Sequence, residues 1–276
     1  MTYVEHIRLL SCEFEIRTNS PEIMDRLSLI TPRAEQDVPV VERCTVTVDW
    51  TGDEFRIDID GVDEDFELTV RSALETLYQG LHRRVMAALP DHIRITAATG
   101  MHAGSTFLLV GPERAGKTTL ALSLMFEGVE IIGDQLALLR DGEALAFPRK
   151  FYAREESLSR LPKLRLFDKI SASIDNPQQY RVAALDPLEF GKSWRIAPAA
   201  VSVMLYIEPN FGGRSTLRPS GTLEMVRRVL PHCAPPISCR QGWLGDLCAT
   251  VDRAKTFVME LGDLDPAVAA IKNLLA

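Results

Sequence analysis

Polar and apolar residues alternate from Ile7 to Ile16, a two-residue period that predicts a strand. Asn19-Ser20-Pro21-Glu22 then reads as a helix start. Ser20 serves as cap, Pro21 fits the first helical position, and Glu22 suits the positive end of the dipole. The helix is expected to run to about Leu29, with a loop over 31–42 around Pro32 and Pro39. Alternation returns from Cys44 to Trp50. After the turn residues Thr51-Gly52-Asp53, Phe55, Ile57 and Ile59 share one face, so a hairpin is predicted. Asp58 and Asp60 on its other face read as a solvated edge. From about Glu64 to Leu89 the period lengthens. Val70, Leu74, Leu77, Tyr78, Leu81 and Val85 form one helical stripe, closed by Pro90. Residues 1–90 therefore read as a small α+β module.

The pattern changes again in 91–276. A strand is expected from Ile93 to Ala98, then a turn at His102-Ala103-Gly104 and an apolar strand from Phe107 to Val110. A helix over Lys117–Phe126 stops at Gly128, and a short strand from Val129 to Gly133 ends in Asp134. Leu136–Leu139 and Leu145–Phe147 flank Asp141-Gly142, a hairpin signal. Residues 152–198 are polar and dotted with proline, with weak helical hints at Leu158, Leu161, Leu164, Leu166 and Phe167. They read as either a substrate-facing flap or ordinary surface structure. Ala199–Ile207 suits a central buried strand, and Asn210-Phe211-Gly212-Gly213-Arg214 suits a turn. Ser220 is expected to cap a helix with Leu223, Val226, Val229 and Leu230 inward and Arg227 and Arg228 in solvent. Leu247–Val251 is mildly apolar. Thr256–Leu261 reads as a strand, and Asp265-Pro266 starts a final helix.

Chemistry concentrates in one turn. Gly111-Pro112-Glu113-Arg114-Ala115-Gly116-Lys117-Thr118, followed by Thr119, matches G-x-x-x-x-G-K-[ST], the phosphate-binding P-loop. The glycines permit backbone angles and close approach that side chains block. The loop amides form an anion nest, reinforced by the helix that begins near Lys117. In that motif Lys117 reaches the β- and γ-phosphates and the Thr118 hydroxyl meets Mg²⁺. In a parallel α/β sheet ligands sit at the carboxyl ends of strands, which brings Asp134 to the phosphates as a metal ligand or as base for an attacking hydroxyl. Arg149 and Lys150 read equally as phosphate or acidic-substrate contacts and as surface charges. Glu155 and Glu156 are weaker metal-ligand candidates, and His102 reads as a turn histidine away from the loop.

Composition narrows the partners. The 276 residues are 46% hydrophobic and 25% charged, which is globular. A net charge of −7 disfavours a nucleic-acid-binding face. No apolar run reaches the roughly 18 residues of a membrane span, and no signal-peptide pattern opens the chain; the cytoplasm is the expected compartment. Cys12, Cys44, Cys233, Cys239 and Cys248 form no paired framework. Although His232 and the last three cluster in sequence, the absence of C-x-x-C favours reduced thiols over zinc.

From the P-loop onward the chain resembles the HPr kinase/phosphorylase-like P-loop kinases, a group with relatives that phosphorylate precursor peptides in biosynthetic clusters. The resemblance rests on the P-loop with Leu120-Ala121-Leu122, Gly128, the strand ending in Asp134, Asp141-Gly142 followed by Pro148-Arg149, the strand Val201–Ile207, and the closing Phe257–Ala267 segment. It implies an α/β fold: a P-loop kinase core over 91–276 with a central mostly parallel or mixed sheet, behind the small module of 1–90. It also implies an ATP- and Mg²⁺-dependent transfer to a hydroxyl, serine foremost, of a peptide or protein. Asp134 becomes the base and a metal site with Thr118, and Lys117 the phosphate clamp. Family members are often homo-oligomers. Two positions depart: Thr96 stands where relatives have a strand histidine, and Gln135 where they have a second acid. A nucleotide-binding sensor or scaffold and a small-metabolite kinase remain alternatives, and ATP versus GTP stays open.

Overall fold

The computed structural model describes residues 1–154, 157, 160, 161, 173–175 and 181–276. They divide into two units, Met1–Pro90 and Asp91–Ala276.

In the first unit the alternation over Ile7–Ile16 turns out to span a hairpin. β1 (Tyr3–Leu9) and β2 (Cys12–Thr18) pair antiparallel, and Leu10 takes φ +52° in the turn between them. The turn shows as a shift of apolar phase, from Ile7 and Leu9 before it to Cys12, Phe14 and Ile16 after it, which a single-strand reading passes over. α1 (Pro21–Ile30) starts as expected: the Ser20 hydroxyl accepts from the Ile23 N–H. β3 (Glu42–Trp50) pairs parallel with β2 and antiparallel with β4 (Phe55–Ile59). β5 (Val62–Glu67) extends this sheet, so the helical pattern does not begin at Glu64. α2 instead covers Val70–Ala88 behind a capping box of Thr69 and Ser72, burying Leu74, Leu77, Leu81 and Val85.

The second unit is a mixed sheet. β6 (Ile93–Ile95) and β7 (Ala97–His102) replace the single strand expected from Ile93. β7 pairs antiparallel with β8 (Ser105–Val110), which leads through the glycine loop into α3 (Lys117–Phe126). β9 (Glu130–Gly133) pairs antiparallel with β7, so it runs in the direction of β8, one strand removed. β10 (Ala137–Arg140) and β11 (Glu143–Ala146) form the hairpin at Asp141-Gly142. β12 (Phe151–Arg154), β13 (Ser173–Asp175) and β14 (Arg181–Leu185) make a small antiparallel sheet in the region read as weakly helical. Of the leucines behind that reading Leu161 is buried; Leu158, Leu164, Leu166 and Phe167 lie outside the described residues, as do Glu155 and Glu156.

β15 (Ala199–Pro209) is the spine. It pairs parallel with β8 on one side and with β18 (Lys255–Leu261) on the other. Between them come β16 (Thr216–Pro219), α4 (Thr222–Val229), β17 (Cys233–Ala234) and α5 (Trp243–Arg253), and α6 (Leu264–Leu275) closes the chain. Leu108, Val110 and Met204 share a core with Met225, Val229, Leu247 and Val251 from α4 and α5. The alternate set Phe107, Leu109, Leu205 and Ile207 is buried as well, as in a sheet covered on both faces. α4 departs from its expected orientation. Gly221, not Ser220, caps it; Met225 and Val229 point inward while Leu223 is exposed.

Among the described residues no helix is long and apolar enough to cross a membrane. Cys12 and Cys44 are buried, and burial pushes their thiols up to about 11 and about 12. Cys239 is exposed. Thiolate is the reactive form, so a maleimide at pH 7.5 is expected to label Cys239 first and Cys12 and Cys44 only in denaturant. Mass spectrometry of timed digests checks this; early labelling of Cys12 contradicts the packing.

Candidate functional site

Parallel pairing puts the carboxyl ends of β8, β15 and β18 at one sheet edge, and β9, running in the same direction, ends there too. Each strand delivers one part of the site. From β8 the chain turns at Gly111, φ +157°, where a β-carbon would stand 2.5 Å from the Ile207 carbonyl oxygen. At Gly116, φ +93°, it would stand 2.9 Å from Leu261 Cδ2. Gly111 is thus dictated by the backbone of the neighbouring parallel strand, and Gly116 by its left-handed φ, since Leu261 Cδ2 is the free end of a side chain. Arg114 also takes a left-handed φ of +62°. Glu113 and Arg114 are exposed and Ala115 is buried. Pro112 accepts from the Ala115 N–H at 3.3 Å, tightening the turn.

Lys117 is buried at the start of α3. Its ammonium donates to the carbonyls of Gly111 (2.7 Å) and Pro112 (2.8 Å), so the charge is held at the first residues of the loop. Burial lowers its pKa, opposed by the charges of Asp134 and Glu113. One residue on, the Thr118 hydroxyl donates to Asp134 Oδ2 at 2.8 Å. Asp134 is only 2% exposed, and its buried Oδ1 has no hydrogen-bond partner among the described residues. Desolvation raises its pKa despite the Thr118 hydrogen bond and the nearby charges of Arg149 and Lys117. A hydroxyl and a buried carboxylate with an unused oxygen are the hard oxygen donors that Mg²⁺ takes. The pair fits that ion.

Gln135, next along, is held at φ +76° and accepts from the Arg149 guanidinium, which also lies 4.5 Å from the centre of the Tyr152 ring. The fold therefore brings Arg149 to the Asp134 side of the loop. Lys150 is buried, and among the described residues no hydrogen bond ties it to the loop. His102 pairs with Ser105, at the far end of β8 from Gly111.

The opposite side of the loop strand holds residues that the sequence did not assign to this site. Tyr206 lies beside Val110 in the β15–β8 register, and its hydroxyl is 3.4 Å from His232 Nε2. The His232 backbone carbonyl accepts from the Thr96 N–H at 2.9 Å. Burial and the positive charge of Lys117 hold the His232 imidazole below its ordinary pKa, so it is neutral near pH 7. Arg228, expected in solvent, instead stacks 5.2 Å from the centre of the Tyr206 ring and pairs with Glu208 and Glu224. Pro112, Tyr206, Glu208, Pro209, Asn210 and Glu260 line a cavity of about 440 Å³ here. Tyr206 and Glu208 alternate on β15, and Asn210 follows two residues on at its end, so a period-two reading could have grouped them. His232 carried no such signal.

No family model and no curated protein matches this sequence. Among solved structures the chain is similar to the Hpr(Ser) kinase/phosphatase from Coxiella burnetii, at 12% identity and a TM-score of 0.34, over 66% of this chain and 87% of that one. At that score the likeness is a distant structural relationship and no more.

Two outcomes are expected of the site. Gly111→Ala forces a β-carbon against the Ile207 carbonyl, and should cost about 1–3 kcal/mol, read as a lower Tm and loss of nucleotide binding. Asp134→Asn should raise the Tm without divalent cation. The folded-state pKa of Asp134 is raised, so its charge destabilises increasingly as pH rises above the ordinary carboxylate range. The gain should be largest at pH 7–8 and close toward about pH 4. Thermal melts across pH check this; a gap independent of pH would assign the effect to something other than the buried charge.

Proposed function

We propose that the chain is an ATP-dependent kinase that transfers the γ-phosphoryl group to a hydroxyl, serine foremost, of a peptide or protein. The observation that carries this reading is the Thr118–Asp134 contact at 2.8 Å with Asp134 Oδ1 buried and unpartnered, set against the mouth of a glycine loop whose lysine points to Gly111 and Pro112. Thr118 and Asp134 are the residues to hold Mg²⁺, which when bound neutralises charge on the phosphates. The loop amides and the α3 N-terminus bind the phosphate chain. Lys117, released from the two carbonyls, follows the charge that develops on the transferred group. Asp134 also orients the acceptor hydroxyl and takes its proton, and burial, which raises its pKa, makes it a stronger base than an exposed aspartate. The cavity beside Pro112 supports an acceptor approaching from the β15 side.

Gln135 favours a second reading, a nucleotide-binding sensor or scaffold. An amide bonded to Arg149 stands next to Asp134, where a second carboxylate would add charge for a metal ion.

Labelled ATP offered with a library of serine-centred peptides separates the two. Kinase activity gives labelled peptide, and Asp134→Asn should reduce it by about 100-fold or more while nucleotide still binds. Undiminished transfer by that variant would remove Asp134 from the mechanism. Nucleotide affinity with no labelled acceptor would favour the sensor.

A further inference from the structure

The phosphate chain has a direction on this loop. Lys117 Nζ sits at the Gly111–Pro112 end, where the β- and γ-phosphates belong. The nucleoside must therefore leave past the other end, Gly116 and the first turn of α3. The side chain waiting there is Phe211. A β-carbon placed on Gly116 would lie 3.8 Å from Phe211 Cε1, yet the phenyl ring is 56% exposed.

An exposed ring on a loose loop would mean little, but this loop is held. Asn210 N–H donates to the Leu261 carbonyl at 2.8 Å, which ties the loop start to the end of β18. The Gly213 N–H donates to Asn210 O at 2.9 Å, the Asp263 N–H to Gly213 O at 3.2 Å, and Asn210 Nδ2 to Arg214 O at 3.1 Å. The ring is thus carried on a backbone that continues β15 and is hydrogen-bonded to the end of β18 and to Asp263 beyond it. Exposing a large apolar surface costs free energy in water, and here it is exposed at a fixed place beside a phosphate site. The Arg160 guanidinium lies 5.4 Å from the ring centre, so the ring already accepts a planar cation as a neighbour.

We propose that Phe211 is the stacking platform for the base of the phosphoryl donor, a purine lying on the exposed ring while the loop holds its phosphates. This rests on the nucleotide-binding part of the reading above, and not on the identity of the acceptor. Stacking on a phenyl ring uses the π-face that every base has, so it supplies affinity for the nucleoside without choosing between adenine and guanine.

Calorimetric titration of the full chain with MgATP, MgGTP and magnesium tripolyphosphate tests it. The wild type should bind both nucleotides more tightly than tripolyphosphate. Phe211→Ala should weaken both nucleotides by at least about fivefold and leave tripolyphosphate within twofold. Phe211→Trp should keep nucleotide affinity, whereas Phe211→Leu, similar in apolar bulk but without a π-face, should behave like alanine. Circular dichroism confirms that each variant folds. Equal loss for nucleotide and tripolyphosphate in Phe211→Ala would make the residue a support of the loop and overturn the platform. So would leucine performing like phenylalanine. Wild type that binds tripolyphosphate as tightly as ATP overturns the platform and leaves the phosphate loop standing. Wild type that binds none of the three overturns the nucleotide reading, and the platform with it.

Discussion

A carboxylate buried to 2% exposure, with one oxygen bonded to a threonine and the other without a hydrogen-bond partner among the described residues, is the constraint around which the second unit is arranged. Burial of that charge is unfavourable unless something compensates it. Inside the protein the compensation comes from Thr118, from the charges of Lys117 and Arg149, and from the Gln135 backbone, and it does not cancel the desolvation. A fold that spends stability at one point, beside a glycine loop at the ends of parallel strands, is the pattern expected of a functional site.

The sheet explains how these groups meet. Asp134 follows a strand that runs with β8 but is separated from it by β7, so the acid arrives from one side of the loop strand. β15 flanks β8 on the other side and brings Tyr206, with His232 behind it. Lys117, between the two, is coupled electrostatically to both Asp134 and His232. The Thr118 and Asp134 oxygens thus gather on one side and a neutral histidine–tyrosine pair with a cavity on the other.

Local elements were legible wherever a residue type has a local physical cause. Ser20 caps α1 because its hydroxyl reaches an N–H three residues away, and Asp141-Gly142 turns a hairpin because both residues accept positive φ. Elements were misread where two structures share one pattern. Alternation across a tight turn looks like one strand, and the polar residues of β5 look like the first turn of α2. The solvent placement of Arg228 failed for another reason. Its position on the helix follows from the period, but its partners Glu208 and Tyr206 lie on a strand twenty and more residues earlier.

By itself the sequence determined that a strand, a glycine turn and a helix follow one another as Phe107–Val110, Gly111–Gly116 and Lys117–Phe126, and that a carboxylate comes at the end of the following strand. These are local matters of backbone freedom, capping and hydrophobic period. Only the tertiary structure decided that Thr118 and Asp134 touch, that His102 stays away and His232 comes near, and that Phe211 stands beside Gly116. Strand order and direction set those distances, and they come from pairing between segments up to about 140 residues apart, which no local pattern encodes.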